Sequence, residues 1–271
     1  MLENTYRNTI KGFVIGAFML IPGASGGTLA IILGIYDDLI HAVSGFRDQW
    51  KQNALLLATV GLGAVLGLVL LSGPMLTAVT RYQKPMLYLF LGAIAGSIPT
   101  LYRKASVSRI KTVNLLAAVA GAAIGILTIY LPADLVRFET LGGASGLLAL
   151  FLAGIFIAIA LILPGISASY FLLMLGMYQL TLDAIKRVDL AYLAPLLLGI
   201  LLGTLLTAEI LEREMKKHPQ FTYMIIIGFM AGSLIQVYPG LPLPGIELAA
   251  SLTTLATGFL LTHWLGLHHK S

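Results

Sequence analysis

The 271-residue chain has no cysteine, which removes disulfides and thiolate metal sites and says nothing about compartment. Charge is also scarce, at 11% of residues against about 25% in soluble domains. With five histidines and only 12 carboxylates, no metal centre and no cofactor is expected, and His268 and His269 read as a solvated end. The net charge of +5 does not point to nucleic acid, because the bases fall in short loops between apolar runs. What remains is hydrocarbon: 58% of residues are hydrophobic and the mean hydropathy is +0.92. The expectation is an all-α polytopic membrane protein forming a single membrane domain over residues 1–271, with no run that reads as a cleaved leader.

One stretch contradicts its surroundings. Pro22-Gly23-Ala24-Ser25-Gly26-Gly27-Thr28 interrupts an apolar run from about Phe13 to Ile35. Proline lacks an amide donor and clashes with the preceding turn, and three glycines in six residues dissolve helix propensity. Non-helical backbone at membrane depth persists only where it is buried in protein or lines a polar cavity. A kinked helix with small packing residues and a ligand site are both open on this stretch alone.

The stretch recurs. At an offset of 142, Pro164-Gly165-Ile166-Ser167-Ala168-Ser169 repeats Pro22, Gly23 and Ser25, and Gly176 and Tyr178 repeat Gly34 and Tyr36. Further on the offset is 136: Gly63 and Gly67 match Gly199 and Gly203, and Gly92, Ala95, Gly96 and Ser97 match Gly228, Ala231, Gly232 and Ser233. The chain is therefore read as an internal duplication, residues 1–135 and 136–271, an arrangement typical of transporters with a site at the repeat interface.

Residues 1–11 are polar, and the apolar arms Gly12–Ile21 and Thr28–Ile35 are each too short for the ~20 residues of a span. Together they suit a re-entrant hairpin, followed by a polar loop over residues 37–53. Spans are expected near 54–72, 86–101 and 112–131, a second hairpin near 145–182, and spans near 191–208, 221–237 and 247–265. Gly61, Gly63 and Gly67, and Gly121 and Gly125, have the small-residue spacing that lets helices pack closely in lipid. If each hairpin returns to its starting side, one face collects Arg7, Lys11, Arg47, Lys51, Arg103, Lys104, Arg109, Lys111, Arg213, Lys216, Lys217 and Lys270. The other face holds Arg81, Lys84, Arg137, Lys186 and Arg187, a split of 12 to 5; single kinked crossings would give 9 to 8. The positive-inside rule favours the hairpins and sets both termini in the cytoplasm. The fold expected is an inverted-topology repeat, each half a re-entrant Pro-Gly hairpin plus about three transmembrane helices.

In that geometry each hairpin's second arm starts at mid-membrane, offering unpaired amides and about half a positive charge. Ser25 and Ser167 are placed to cap these helices, while Gly26, Gly27 and Thr28, with Ala168 and Ser169 at the second tip, can present amides to an anion. No Lys or Arg occurs at either tip. Tyr36 and Tyr178, at matched hairpin exits, are secondary candidates that double as interfacial anchors. Ser97 and Ser233, in matched Gly-Ser pairs, are secondary candidates that double as packing residues. Glu209 opens a run through Lys217 that reads as a solvated helix end with internal ion pairs.

Pro22-Gly-Ala-Ser-Gly-Gly-Thr28 with Gly34-Ile-Tyr36, then Gly96-Ser-Ile-Pro99, then Pro164-Gly-Ile-Ser-x-Ser169 with Gly176-Met-Tyr178, resembles the polyprenyl-phosphate transporter family. The resemblance covers nearly the whole chain. It implies a prokaryotic cell-membrane flippase that returns undecaprenyl phosphate from the outer to the inner leaflet for envelope synthesis. The family usually has Gly where this chain has Ala168. Membrane-embedded undecaprenyl-pyrophosphate phosphatases share duplicated hairpins and a Pro-Gly-x-Ser-Arg-Ser motif. Here Gly26 or Ala168 stands at the arginine position and neither first arm holds a carboxylate, so hydrolysis has no base and no cation and no enzyme is expected. A small-anion channel or exchanger is the alternative. Moving a phosphate monoester inward also implies a coupling ion, a proton or sodium.

The absence of native cysteine makes the topology directly testable. Gly45→Cys should react with a membrane-impermeant maleimide only from the cytoplasm and Lys186→Cys only from outside; the reverse pattern would end the hairpin topology.

Overall fold

A computed structural model describes residues 2–19, 25–105, 111–130 and 143–268. Every regular element among them is a helix. In chain order these are α1 (Leu2–Phe18), α2 (Gly26–Ile32), α3 (Tyr36–Ser44), α4 (Trp50–Arg81), α5 (Gln83–Lys104) and α6 (Thr112–Tyr130), then α7 (Gly143–Ile162), α8 (Ala168–Met174), α9 (Tyr178–Arg187), α10 (Leu190–Lys217), α11 (Pro219–Val237) and α12 (Ile246–His268). Among the described residues, six helices (α4, α5, α7, α10, α11 and α12) are long and apolar enough to cross a membrane. The chain is a multi-pass membrane protein.

The breaks fall where proline and glycine forbid a helix. α1 stops at Phe18 and α2 begins at Gly26; α7 stops at Ile162 and α8 begins at Ala168. Pro22, Gly23 and Ala24 lie outside the described residues, and Arg109, Arg137 and Lys270 of the charge count do too. Each short second arm ends alike. Gly34 (φ 67°) and Gly176 (φ 64°) are left-handed, with Ile35 N donating to Ala30 O (2.9 Å) and Met177 N to Leu172 O (2.8 Å). This double-bonded C-terminal motif needs positive φ, which glycine adopts without strain, and explains why Gly34-x-Tyr36 recurs as Gly176-x-Tyr178.

Glycines seat the long helices on one another in parallel pairs. A Cβ at Gly63 would lie 2.1 Å from Thr9 O and one at Gly67 2.0 Å from Phe13 O, so α1 and α4 run in the same direction. The same register recurs in α7 and α10, where Gly199 meets Phe151 O at 2.0 Å and Gly203 meets Ile155 Cα at 2.8 Å. Two further parallel pairs cross between the halves of the chain. Gly92 of α5 sits on Leu255 O of α12 (2.0 Å), and Gly228 of α11 sits on Ala118 O of α6 (2.1 Å). The core gathers where α5 and α11 meet: Ile94 and Met230, a matched pair at offset 136, are each 0% exposed. Packing of this kind replaces the hydrophobic drive that lipid cannot supply.

Four expectations change. Residues 2–11, read only as polar, form the first part of α1, which packs on α4 and buries Lys11 while leaving Arg7 exposed. Residues 37–53 are largely helical: α3 buries Tyr36, Ile40 and Ala42 while turning Asp38 and His41 outward, a 3.6-residue pattern that the charges mask. Gly61 is not a packing glycine, since nothing lies within 4 Å of a Cβ there. It points away from α1, one phase step from Gly63. The expected span at 54–72 also extends: α4 continues through Pro74 to Arg81, 32 residues or about 48 Å of helix.

Gly63→Leu and Gly199→Leu should each lose folded protein, by about 1–3 kcal/mol or more as overpacking against a carbonyl. Gly61→Leu should be neutral. Thermal unfolding monitored by size exclusion separates the three variants.

Candidate functional site

The two hairpin tips meet. Ser25, the N-cap of α2, accepts from Thr28 N at 3.1 Å and shares a hydrogen bond with the Thr28 hydroxyl at 2.8 Å. That capping pair then reaches the other half of the chain, where Gly165 N donates to Thr28 Oγ1 at 2.9 Å and to Ser25 Oγ at 3.3 Å. Gly165 is left-handed (φ 81°), and a Cβ on it would stand 2.4 Å from Phe229 O, so glycine is required for both conformation and space. Ser25 and Thr28 are 5% and 1% exposed, so hydroxyls and amide satisfy one another away from solvent.

Gly27 makes the approach possible: a Cβ there would lie 2.8 Å from Ile162 O, the last carbonyl of α7. The start of α2 therefore faces the carbonyl end of α7 rather than the start of α8, and the opposite ends of two helix dipoles meet. Tyr36 closes the same junction. It is 3% exposed and its hydroxyl donates to Ile162 O at 3.1 Å, so it ties the exit of the first hairpin to the end of α7 rather than anchoring at an interface.

The remaining candidates divide. Gly26 lies open, its nearest neighbour the Met19 methyl at 3.7 Å from a Cβ. Ser167 precedes α8 and its carbonyl accepts from Phe171 N at 3.1 Å. Ala168 opens α8 and packs against apolar clusters that include Ile157, Ile166 and Phe229, so its methyl sits in core. The Ser169 side chain lies outside the described residues. Tyr178 is half-buried at the start of α9. Ser97 and Ser233, 3% and 1% exposed, donate to the carbonyls of Ile94 (2.7 Å) and Met230 (2.8 Å) three residues back, which makes them matched packing residues of α5 and α11. The structure thus brings together Ser25, Gly27, Thr28 and Tyr36 with Ile162 and Gly165, and Ser97 lines a cavity at the other end of α2.

Sequence reasoning missed a polar belt at one end of the bundle. Lys104 pairs with Asp37 at 2.5 Å, and Asp37 also accepts from the Tyr223 hydroxyl at 3.0 Å. Glu212 pairs with Lys216 (2.5 Å) within α10, as expected of that run, and also joins His41 (2.6 Å) and the Ser44 hydroxyl of α3. The missed links cross from α3 to α5, α10 and α11, between residues that share no local spacing. Among the described residues no group of three or more His, Cys, Asp or Glu could hold a metal.

The chain is similar to known proteins over most of its length. A family model described as undecaprenyl phosphate translocase-like matches residues 15–244, which takes in both tips. A polyprenyl-phosphate transporter of Staphylococcus aureus is 34% identical over 98% of this chain and 98% of its own length. A polyprenyl-phosphate transporter of Vibrio cholerae is 31% identical over 87% of this chain and 78% of its own length. No solved structure matches the chain. Both relatives are named as transporters, which removes the phosphatase reading raised by the shared hairpin motif. The chain belongs to the undecaprenyl phosphate translocase-like family.

Proposed function

We propose that this protein is a flippase that returns polyprenyl phosphate from the outer to the inner leaflet, holding the phosphate where the two hairpin tips meet. The observation that carries the reading is the Gly165 amide spent on the hydroxyls of Ser25 and Thr28 across the two halves. Neutral hydroxyls are weak acceptors, and a phosphate oxygen makes charge-assisted bonds about twice as strong. A phosphate entering the junction takes the Gly165 amide together with the amides of Gly26 and Gly27, which open α2 and have no acceptor within their own helix. Small anions could use the same amides; the names of the two relatives favour the lipid phosphate.

The same reading makes residues 1–135 and 136–271 an inverted repeat. Support comes from helix direction. Residues of α1 (Arg7), α3 (Asp37), α5 (Lys104) and α12 (Gly266) share one cavity, and α10 and α11 join that end through Glu212 and Tyr223. α4 runs away from this end alongside α1, whereas α10 runs towards it alongside α7. The two first arms therefore enter from opposite ends, and the α5–α12 and α6–α11 pairs interlock the halves. Opposed re-entrant hairpins give the junction two routes of access, one to each leaflet.

Two outcomes follow. Once released by Gly165, the Ser25 and Thr28 hydroxyls donate to the phosphate, so Ser25→Ala and Thr28→Val should each weaken polyprenyl phosphate binding by about 1 kcal/mol, the scale of a lost cap or one hydrogen bond, with insertion unchanged. Unaltered affinity in the double variant would move the site elsewhere. The second outcome concerns work against the potential, which opposes inward movement of each negative charge by about 2.3 kcal/mol per 100 mV. The amide donors at the tips hold the anion but do not travel with it. Inward flipping in proteoliposomes should accelerate with an inward proton or sodium gradient; the second phosphate pKa near 6 makes a proton the simpler partner. Rates indifferent to potential and to both gradients would describe a passive scramblase.

A further inference from the structure

The end of the bundle that gathers the polar belt also holds a cavity of about 480 Å³ between α1, the α2–α3 turn, α5 and α12. Its charged lining is Arg7, Lys11, Asp37, Asp38, Arg103 and Lys104, four cations against two carboxylates. Lys104 is engaged by Asp37 at 2.5 Å. Arg103 is held in place by Thr100 Oγ1 (3.2 Å) and Gly266 O (3.3 Å), and Lys11 is only 8% exposed. The excess of two positive charges in a partly enclosed space matches a phosphate monoester, which carries about −1.5 to −2 at pH 7.

Two features give the cavity a direction. α2 joins it to the tip junction: Gly26 to Thr28 stand at one end of the helix, and Ile31, Ile32 and Gly34 line the cavity at the other. Seven residues of helix span only about 10 Å. The duplication does not extend to the charges. At the offsets of 142 and 136, the positions of Arg7, Lys11, Asp37, Asp38, Arg103 and Lys104 are occupied by Ala149, Ala153, Gln179, Leu180, Pro239 and Gly240. A fold that repeats its hairpins, caps and packing glycines thus keeps this charge set at one end alone.

We propose that this cavity is a second, one-sided anion site that receives the phosphate of the lipid headgroup as it passes between the tip junction and the end of the fold with the greater positive charge. The guanidinium groups of Arg7 and Arg103 and the ammonium of Lys11 are its ligands. The identity of the ligand rests on the transport reading above; the presence of an anion site here does not. A stopping place on one face lowers the free energy of the headgroup there and not at its mirror position, which biases where the lipid dwells.

The test is cavity-specific labelling. Ile32→Cys, placed in the otherwise cysteine-free full-length protein in phosphatidylcholine nanodiscs, should be protected from a charged maleimide by farnesyl phosphate and not by farnesol. Adding Arg7→Gln and Arg103→Gln should raise the protecting concentration about tenfold or more, the loss expected for removing charge-assisted bonds. Arg7→Gln alone, at an exposed residue, should shift it in the same direction if the pair folds poorly. Lys186→Gln with Arg187→Gln at the other end should leave it unchanged. Protection by inorganic phosphate at equal concentration supports the anion site with free phosphate as its source. No protection by either anion, or protection unaltered in the arginine variants, overturns the proposal. Thr28→Val should impair flipping in proteoliposomes while preserving protection at Ile32→Cys, so the two sites fail separately.

Discussion

A backbone amide at membrane depth has no water to bond, and each one left unpaired costs several kcal/mol. Two breaks in apolar helices create such amides here, and the structure resolves them against each other. Gly165 N finds the Ser25 and Thr28 hydroxyls, and the Tyr36 hydroxyl finds Ile162 O. The rest of the fold serves this mutual satisfaction. Gly27 must lack a side chain for α2 to reach the end of α7, and Gly165 must lack one to pass Phe229. The contact is built from one backbone amide and two neutral hydroxyls.

Outside the junction, rigidity comes from glycine seated on carbonyl. The contacts of α1 with α4 and of α7 with α10 fix each hairpin to its own half, whereas α5 with α12 and α6 with α11 bind each half to the other. The second arms α2 and α8 are seven residues each, and α2 is seated in the core through Leu29, Ala30 and Ile31. The polar belt of Asp37, His41 and Ser44 with Lys104, Tyr223 and Glu212 ties α3, directly after the first hairpin, to the interlocked helices.

What the sequence could reveal depended on whether the chemistry was local. Pro22 to Thr28 stood out because proline and glycine contradict an apolar run, and Ser25 as a cap followed from the same logic. Gly34 and Gly176 were visible as a recurrence, but their left-handed geometry required the hydrogen bonds of the turn. Gly61 was misjudged because spacing alone cannot fix the phase of a helix against its neighbour. Tyr36 looked like an anchor because its partner, Ile162, lies 126 residues away. The cations at 7, 11, 103 and 104 read as separate loop charges until the fold brought them around one cavity. Helical stretches at 1–11 and 37–53 were hidden for the opposite reason: charge on one face of a short helix imitates a loop.

Whether the phosphate occupies the junction between the hairpins is measured most directly by an electron cryo-microscopy map of the protein in nanodiscs with bound polyprenyl phosphate. Phosphate density is expected within hydrogen-bonding reach of Gly165 N and the first turn of α2, with the Ser25 and Thr28 hydroxyls no longer accepting from Gly165. Phosphate density found only at other places, with the tips still bonded to each other, would contradict that placement.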